Sequence, residues 1–136
     1  MVVEVACGVI VNENKVLCVQ RSEIMSLPLK WEFPGGKIEE GETPEVCLVR
    51  EIKEELNIEI NIKQSISPSY YLYEKFEINL IPFVCSISSG EIQLTEHKEY
   101  KWLEPKKLLD LDWAAADIAI VDEILELCFM DEKIFS

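Results

Sequence analysis

Apolar and polar positions along the chain divide it into strand-like and helix-like stretches. Val2 to Val11 is rich in β-branched residues and predicts a strand. Asn12 to Lys15 is a polar turn, and Val16 to Val19 predicts a second strand that closes a hairpin with the first. A loop with Pro28 occupies residues 22–30, and the aromatic–Pro–Gly stretch from Trp31 to Lys37 cannot be regular helix. Its paired glycines, Gly35 and Gly36, permit unusual backbone angles and let a ligand approach the main chain. A helix follows: Thr43 suits the N-cap, Pro44 the first turn and Glu45 the positive end of the dipole. Val46, Val49, Ile52 and Leu56 form its apolar stripe, and Asn57 stands where a left-handed residue would stop it. Further strands are predicted over Ile58–Ile62, Tyr70–Tyr73, Phe76–Ser86 and Tyr100–Leu103. A closing helix from about Asp117 carries Val121, Ile124, Leu125 and Cys128. Without a linker or repeat, the pattern is that of one mixed α/β domain over residues 1–136.

Composition adds constraints. With 49% hydrophobic residues there is material for a core, which argues against disorder. The formal net charge of −13 disfavours a grip on a nucleic-acid polymer, which needs clustered Lys and Arg. Phosphate ligands stay open, because carboxylates gathered around Mg²⁺ or Mn²⁺ bind phosphate once the metal is loaded. The five cysteines have no C-x-x-C spacing and only one histidine beside them, so they are expected to be buried small hydrophobes in a reducing compartment. Glu4 interrupts the first apolar run, and no stretch approaches the ~18 apolar residues of a membrane span. A cytoplasmic protein with no membrane partner is expected, as monomer or homodimer.

Chemistry concentrates between Gly36 and Ile58. On a helix, Glu51, Glu54 and Glu55 are related by i,i+3 and i,i+4 spacing and project from one face. Like charges at that spacing repel, so gathering them makes sense if a cation sits among them. Hard divalent ions prefer carboxylate oxygens and bridge them to substrate phosphates. Such ions neutralise phosphate charge and lower the pKa of a bound water, whose proton a nearby carboxylate can take. Arg50 is placed to orient Glu42 or Glu51 through a charge-assisted hydrogen bond. A glutamate-rich face alone is more often a solvated surface, and a Gly-Gly pair alone more often a turn. The order of the pieces separates the readings.

That order resembles the Nudix box of the MutT family: Gly, five residues, Glu, seven residues, then Arg-Glu-aliphatic-x-Glu-Glu-x-Gly-aliphatic. Gly36, Glu42, Arg50, Glu51, Ile52, Glu54, Glu55 and Ile58 fall in register, and Asn57 stands where the family has Gly. Asn tolerates the left-handed conformation, so the helix end is expected to survive. The resemblance implies a Nudix α/β/α sandwich, with a mixed sheet between helices. It also implies metal ligation by Glu51, Glu54, Glu55, the Gly35 carbonyl and Glu96, the last in a loop six residues before Trp102. Arg21 matches a position where a basic residue meets substrate phosphate, and Lys37 closes the Gly-Gly-Lys stretch beside the substrate. The proton-accepting base stays open among Glu42, Glu51 and Glu96.

The implied reaction is nucleoside triphosphate to monophosphate and pyrophosphate. Leu111 to Ile118 resembles the CTP pyrophosphohydrolase branch; in the 8-oxo-dGTP branch the position of Asp117 tends to be Asn. An ionised Asp only accepts hydrogen bonds, which suits the exocyclic amine of cytosine, although oxidised guanine also offers donors. Asp117 is equally suited to cap the last helix. Phe33 and Trp113 are candidates for a wall against the base, or for core. The competing expectations are an 8-oxo-dGTP diphosphatase, another Nudix substrate such as a nucleotide sugar, a nucleotide-sensing Nudix domain without catalysis, and an acidic interaction module.

Overall fold

The computed structural model describes the backbone of residues 2–130 and the side chains of residues 2–128. β1 (Val2–Asn12) and β2 (Lys15–Gln20) form the expected hairpin. Glu13 and Asn14 turn it with φ of 49° and 66°, the left-handed two-residue turn that matches strand twist.

β1 is the axis of the sheet. Along one edge it runs parallel to β7 (Glu77–Gly90), from Val2 to Ile10. Its other edge is shared: Val5–Cys7 pair with β4 (Gly35–Lys37), whereas Val11 and Asn12 pair with β2. At the fork between these partners, Gly8 N donates to Pro34 O at 2.8 Å. β2 also takes β3 (Trp31–Glu32) and β8 (Glu99–Leu103), and β7 takes β5 (Ile58–Ser65) and β6 (Ser69–Leu72), all antiparallel. The sheet is therefore mixed.

Period-two alternation assigns the faces. Ala6, Ile10, Leu17 and Val19 pack with Leu48, Ile52 and Leu56 of α1 (Pro44–Leu56). Cys7, Val9, Val16 and Cys18 pack on the opposite face with Ile120, Val121 and Ile124 of α2 (Ala115–Met130). This is the expected α/β/α sandwich. No helix among the described residues is long and apolar enough to cross a membrane.

The ends of α1 are as anticipated. Thr43 Oγ1 accepts from Val46 N at 3.2 Å, and Asn57 is left-handed at φ 60°, its N–H donating to Lys53 O. The stripe differs: Val46 is 57% exposed, and the buried face is Cys47, Leu48, Ile52 and Leu56. Six residues upstream of Ile52, Val46 lies about 120° round the helix, on its flank. α2 starts two residues before Asp117, so Asp117 sits inside the first turn and is not the N-cap. Its carboxylate is used elsewhere. β7 also extends to Gly90, beyond the expected Ser86, because Ile58 and Glu59 of β5 pair with its end. Cys7, Cys18, Cys47 and Cys85 are buried free thiols, and Cys128 is half-buried.

Asn57 holds a backbone conformation that costs an L-residue with Cβ about 1–2 kcal/mol, less for Asn. The Asn57→Ala variant is expected to unfold about 1 kcal/mol more easily than wild type, and Asn57→Gly no more easily, by urea titration. Equal stability of the Ala and Gly variants would contradict a left-handed stop at this position.

Candidate functional site

The site is built where α1, β4 and β1 meet. A Cβ on Gly35 would stand 2.0 Å from Ala6 O, and one on Gly36 would stand 2.2 Å from the carboxyl carbon of Glu51. Only glycines let β4 lie this close to β1 on one side and to the helix carboxylates on the other. The side chain of Glu55 reaches the same backbone: Gly35 N donates to Oε1 at 3.2 Å.

Arg50 gathers a second set. Its Nε and Nη2 bind Glu42 in a two-point pair at 2.7 and 2.8 Å, and its Nη1 reaches Glu51 at 2.9 Å and Glu54 at 3.4 Å. The sequence left Arg50 a choice between Glu42 and Glu51; the structure gives it both. The guanidinium pulls Glu42 down to about 2, helped by the Glu39 N–H that donates to it. Glu51 is raised instead, because its burial outweighs the pull of Arg50.

Glu55 lies outside Arg50's circle. Burial, with Glu32, Glu51 and Glu96 adding repulsion, pushes its carboxyl up to about 9, against a smaller opposing pull from the Gly35 hydrogen bond. Glu32 and His97 were not anticipated. Glu32 Oε2 lies 2.8 Å from His97 Nε2, and its Oε1 accepts from Arg21 Nη1 at 2.8 Å. Arg21 lines the cavity beside these groups, and its guanidinium donates to Glu32 and to the Ser26 carbonyl and hydroxyl. The sequence signal for His97 was slight, a lone histidine next to Glu96.

A cavity of about 230 Å³ opens beside these groups. Its lining includes Glu55, Gly35, Gly36 and Glu32 and also Arg21, Phe33, Tyr73 and Asp117. Phe33 stacks on Trp113 with ring centroids 4.7 Å apart, and both are core residues, with Phe33 at the cavity wall. Residues 112–114 run beside Trp31, and the contact continues where Phe33 N donates to Asp117 Oδ1 at 3.0 Å. Asp117 thus supplies a hydrogen-bond acceptor to a strand end, a task its sequence context did not reveal. Burial first, then repulsion from Glu32, raises its carboxyl well above the usual range, which favours the protonated form. A carboxyl that keeps its proton both accepts and donates, whereas an ionised one only accepts.

Glu51, Glu55, Gly35 and Gly36 are thus brought together, with Glu54 at their exposed rim. Glu96 is exposed but close enough to repel Glu55, and Lys37 is exposed at the end of β4. Among the described residues no three acidic, His or Cys side chains converge on one point. Arg50 engages one oxygen of Glu51 and one of Glu54, which leaves the second oxygen of each for a cation. The donors present are hard carboxylate oxygens crowded enough to hold a proton on Glu55, which suits Mg²⁺ or Mn²⁺ better than a soft ion.

The NUDIX domain family model matches residues 2–124. The chain is 30% identical to a CTP pyrophosphohydrolase of Escherichia coli strain K12, covering 92% of this chain and 93% of that protein. It is also 30% identical to an 8-oxo-dGTP diphosphatase of Haemophilus influenzae, covering 91% and 92%. Among solved structures, it resembles the solution structure of a MutT Nudix hydrolase from methicillin-resistant Staphylococcus aureus 252, with 40% identity and a TM-score of 0.75. That match covers 93% of this chain and 97% of the other.

A proton on Glu55 has a measurable consequence. An unfolded glutamate ionises near its ordinary value of 4.5, whereas the folded one holds its proton to about 9. Between those values the metal-free folded state binds the extra proton, so its stability falls as pH rises. Thermal melts in EDTA between about pH 5 and 9 are expected to fall less steeply for Glu55→Gln than for wild type. Parallel slopes would mean that Glu55 ionises normally.

Proposed function

Because the chain belongs to the Nudix hydrolase family, whose members use divalent metal ions, we propose that it is a nucleoside triphosphate pyrophosphohydrolase with a cytosine nucleotide as its preferred substrate. The reaction is (d)NTP and water to (d)NMP and pyrophosphate, with cleavage of the α–β phosphoanhydride. The observation that carries this reading is the cavity itself. Glu55, Gly35 and Gly36 line it together with Phe33 and Asp117, so groups suited to a polyphosphate and to a base border one space.

In this reading Glu51, Glu54 and Glu55, with the Gly35 carbonyl and Glu96, hold Mg²⁺, with Mn²⁺ as a substitute. The ion supplies charge neutralisation at the phosphates and acidifies water. Arg50 acts through the glutamates: its two-point grip on Glu42 anchors it, and its remaining nitrogen steadies Glu51 and Glu54. Glu42, held to about 2 and bound through both oxygens, is the poorest proton acceptor of the three candidates, which leaves Glu51 and Glu96 as bases. Lys37, exposed at the end of β4, offers a charge to the outer phosphates. Arg21 serves the site by fixing Glu32 and the loop at Ser26.

Asp117 reads the base. Protonated, it offers an O–H to N3 of cytosine and a carbonyl lone pair to the exocyclic amine, while Oδ1 still accepts from Phe33. The relative named CTP pyrophosphohydrolase supports this choice. The second reading, 8-oxo-dGTP hydrolysis, is favoured by the relative of that name, and oxidised guanine also pairs a donor with an acceptor.

Pyrophosphate release from CTP, dCTP, 5-methyl-dCTP, 8-oxo-dGTP, dGTP and ADP-ribose with Mg²⁺ tests both parts. The highest kcat/KM is expected for a cytosine nucleotide. EDTA or Glu54→Gln should reduce turnover by more than the ~10–100-fold that partners outside the ligand shell cost. Preference for 8-oxo-dGTP would keep the reaction and refute the base assignment, whereas a silent panel would favour a nucleotide-sensing domain. Asp117→Asn should lower kcat/KM for the cytosine nucleotide more than for 8-oxo-dGTP; equal losses would remove Asp117 from base selection.

A further inference from the structure

Helix α2 starts at Ala115, and the residues around its start, Trp113, Ala114, Ala115 and Ala116, bring no side-chain acceptor to its first turn. Alanine has nothing to cap a helix with, and an indole N–H only donates. Trp31 O holds Ala114 N just before the helix. Inside it the anchor comes from two distant hydroxyls. Ala116 N donates to the hydroxyl of Tyr73 at 2.9 Å, and Ala116 O accepts from the hydroxyl of Ser69 at 2.8 Å. Both backbone polar groups of Ala116 are therefore held by β6 and the turn that follows it. Tyr73 is itself fixed: its N–H donates to Phe76 O at 2.8 Å, and its ring stacks on Phe76 with centroids 4.9 Å apart. The residue after Ala116 is Asp117, whose Oδ1 accepts from Phe33 N. Tyr73, Ala116 and Asp117 line the cavity, whereas Ser69 is buried and is not part of its wall.

We propose that Tyr73 and Ser69 are positioning residues for Asp117: by fixing Ala116 they set where α2 begins, and with it where the carboxyl stands toward the base. This rests on the reading of Asp117 as the residue that meets the base. A slip of one residue at a helix start turns each side chain by about 100° around the axis. Such a slip would take Asp117 from Phe33 N, and selective hydrogen bonding needs its partner held to within about 0.5 Å. The local sequence offers no side chain to resist it, so the two hydroxyls do. Asp117 is thus fixed from two directions, by Phe33 N on its carboxyl and by the Ala116 contacts on its backbone.

Tyr73→Phe keeps the ring and removes its hydroxyl, and Ser69→Ala removes the second anchor from outside the cavity wall. Each is expected to lower the ratio of kcat/KM for the cytosine nucleotide to that for 8-oxo-dGTP by ~3–10-fold, about the worth of one hydrogen bond, through KM with kcat little changed. In the Asp117→Asn background neither should lower the ratio further. A ratio equal to wild type in both variants would overturn the role, whatever the melting temperature does, and so would an undiminished loss in the Asp117→Asn background. Should Asp117→Asn alone leave the ratio intact, the base reading has failed and this role falls with it. A readout without substrate separates the two failures. The amide of Phe33, held by Asp117, should exchange with deuterium ~3–10-fold faster in each variant, relative to the amide of Gly8, which Pro34 O holds. An unchanged ratio of Phe33 to Gly8 exchange would refute the positioning even where Asp117 selects the base. If Tyr73→Phe does not fold, Ser69→Ala carries both measurements.

Discussion

The structure depends on how closely β4 passes between β1 and α1. Side chains at Gly35 or Gly36 would overlap Ala6 O at 2.0 Å or the Glu51 carboxyl at 2.2 Å, far inside the ~3.5–4.0 Å of normal contact. Without those side chains the backbone amide of Gly35 can reach Glu55, and the carboxylates of α1 rest on main chain. The fork in β1's pairing follows from the same approach. β2 can serve only the far end of β1 because β4 occupies Val5–Cys7.

Carboxylates on α1 and in the loop before it then diverge in behaviour. Glu42, Glu51 and Glu54 lie within reach of one guanidinium, whereas Glu55 is buried among Glu32, Glu51 and Glu96. Opposite shifts, Glu42 down to about 2 and Glu55 up to about 9, mark where positive charge is already supplied and where it is lacking. Buried like charges work against folding, and such costs are typical of sites kept for chemistry. The upward shift of Asp117 has a similar origin, burial first and then repulsion from Glu32.

Much of this was legible along the chain. Helix α1, its Thr43 cap, its Asn57 stop, the hairpin and the i,i+3 and i,i+4 carboxylate face all depend on neighbours within about one helical turn or one strand turn. Local periodicity encodes those directly, and the order from Gly36 to Ile58 sufficed for the family. The stripe erred only at Val46, where a flank position carried an apolar residue.

What tertiary structure decided are the meetings between distant segments. Arg21 pairs with Glu32, Asp117 is the partner of Phe33 N and not a helix cap, and Glu32 and His97 stand beside Glu55. Residues 21, 32, 55, 97 and 117 lie on five separate segments. Their proximity is set by the register of β2 against β3 and β8 and by the packing of α2 under Phe33. No local pattern carries a register between strands that far apart, because side-chain periodicity fixes which face a residue takes and leaves open which partner it meets there.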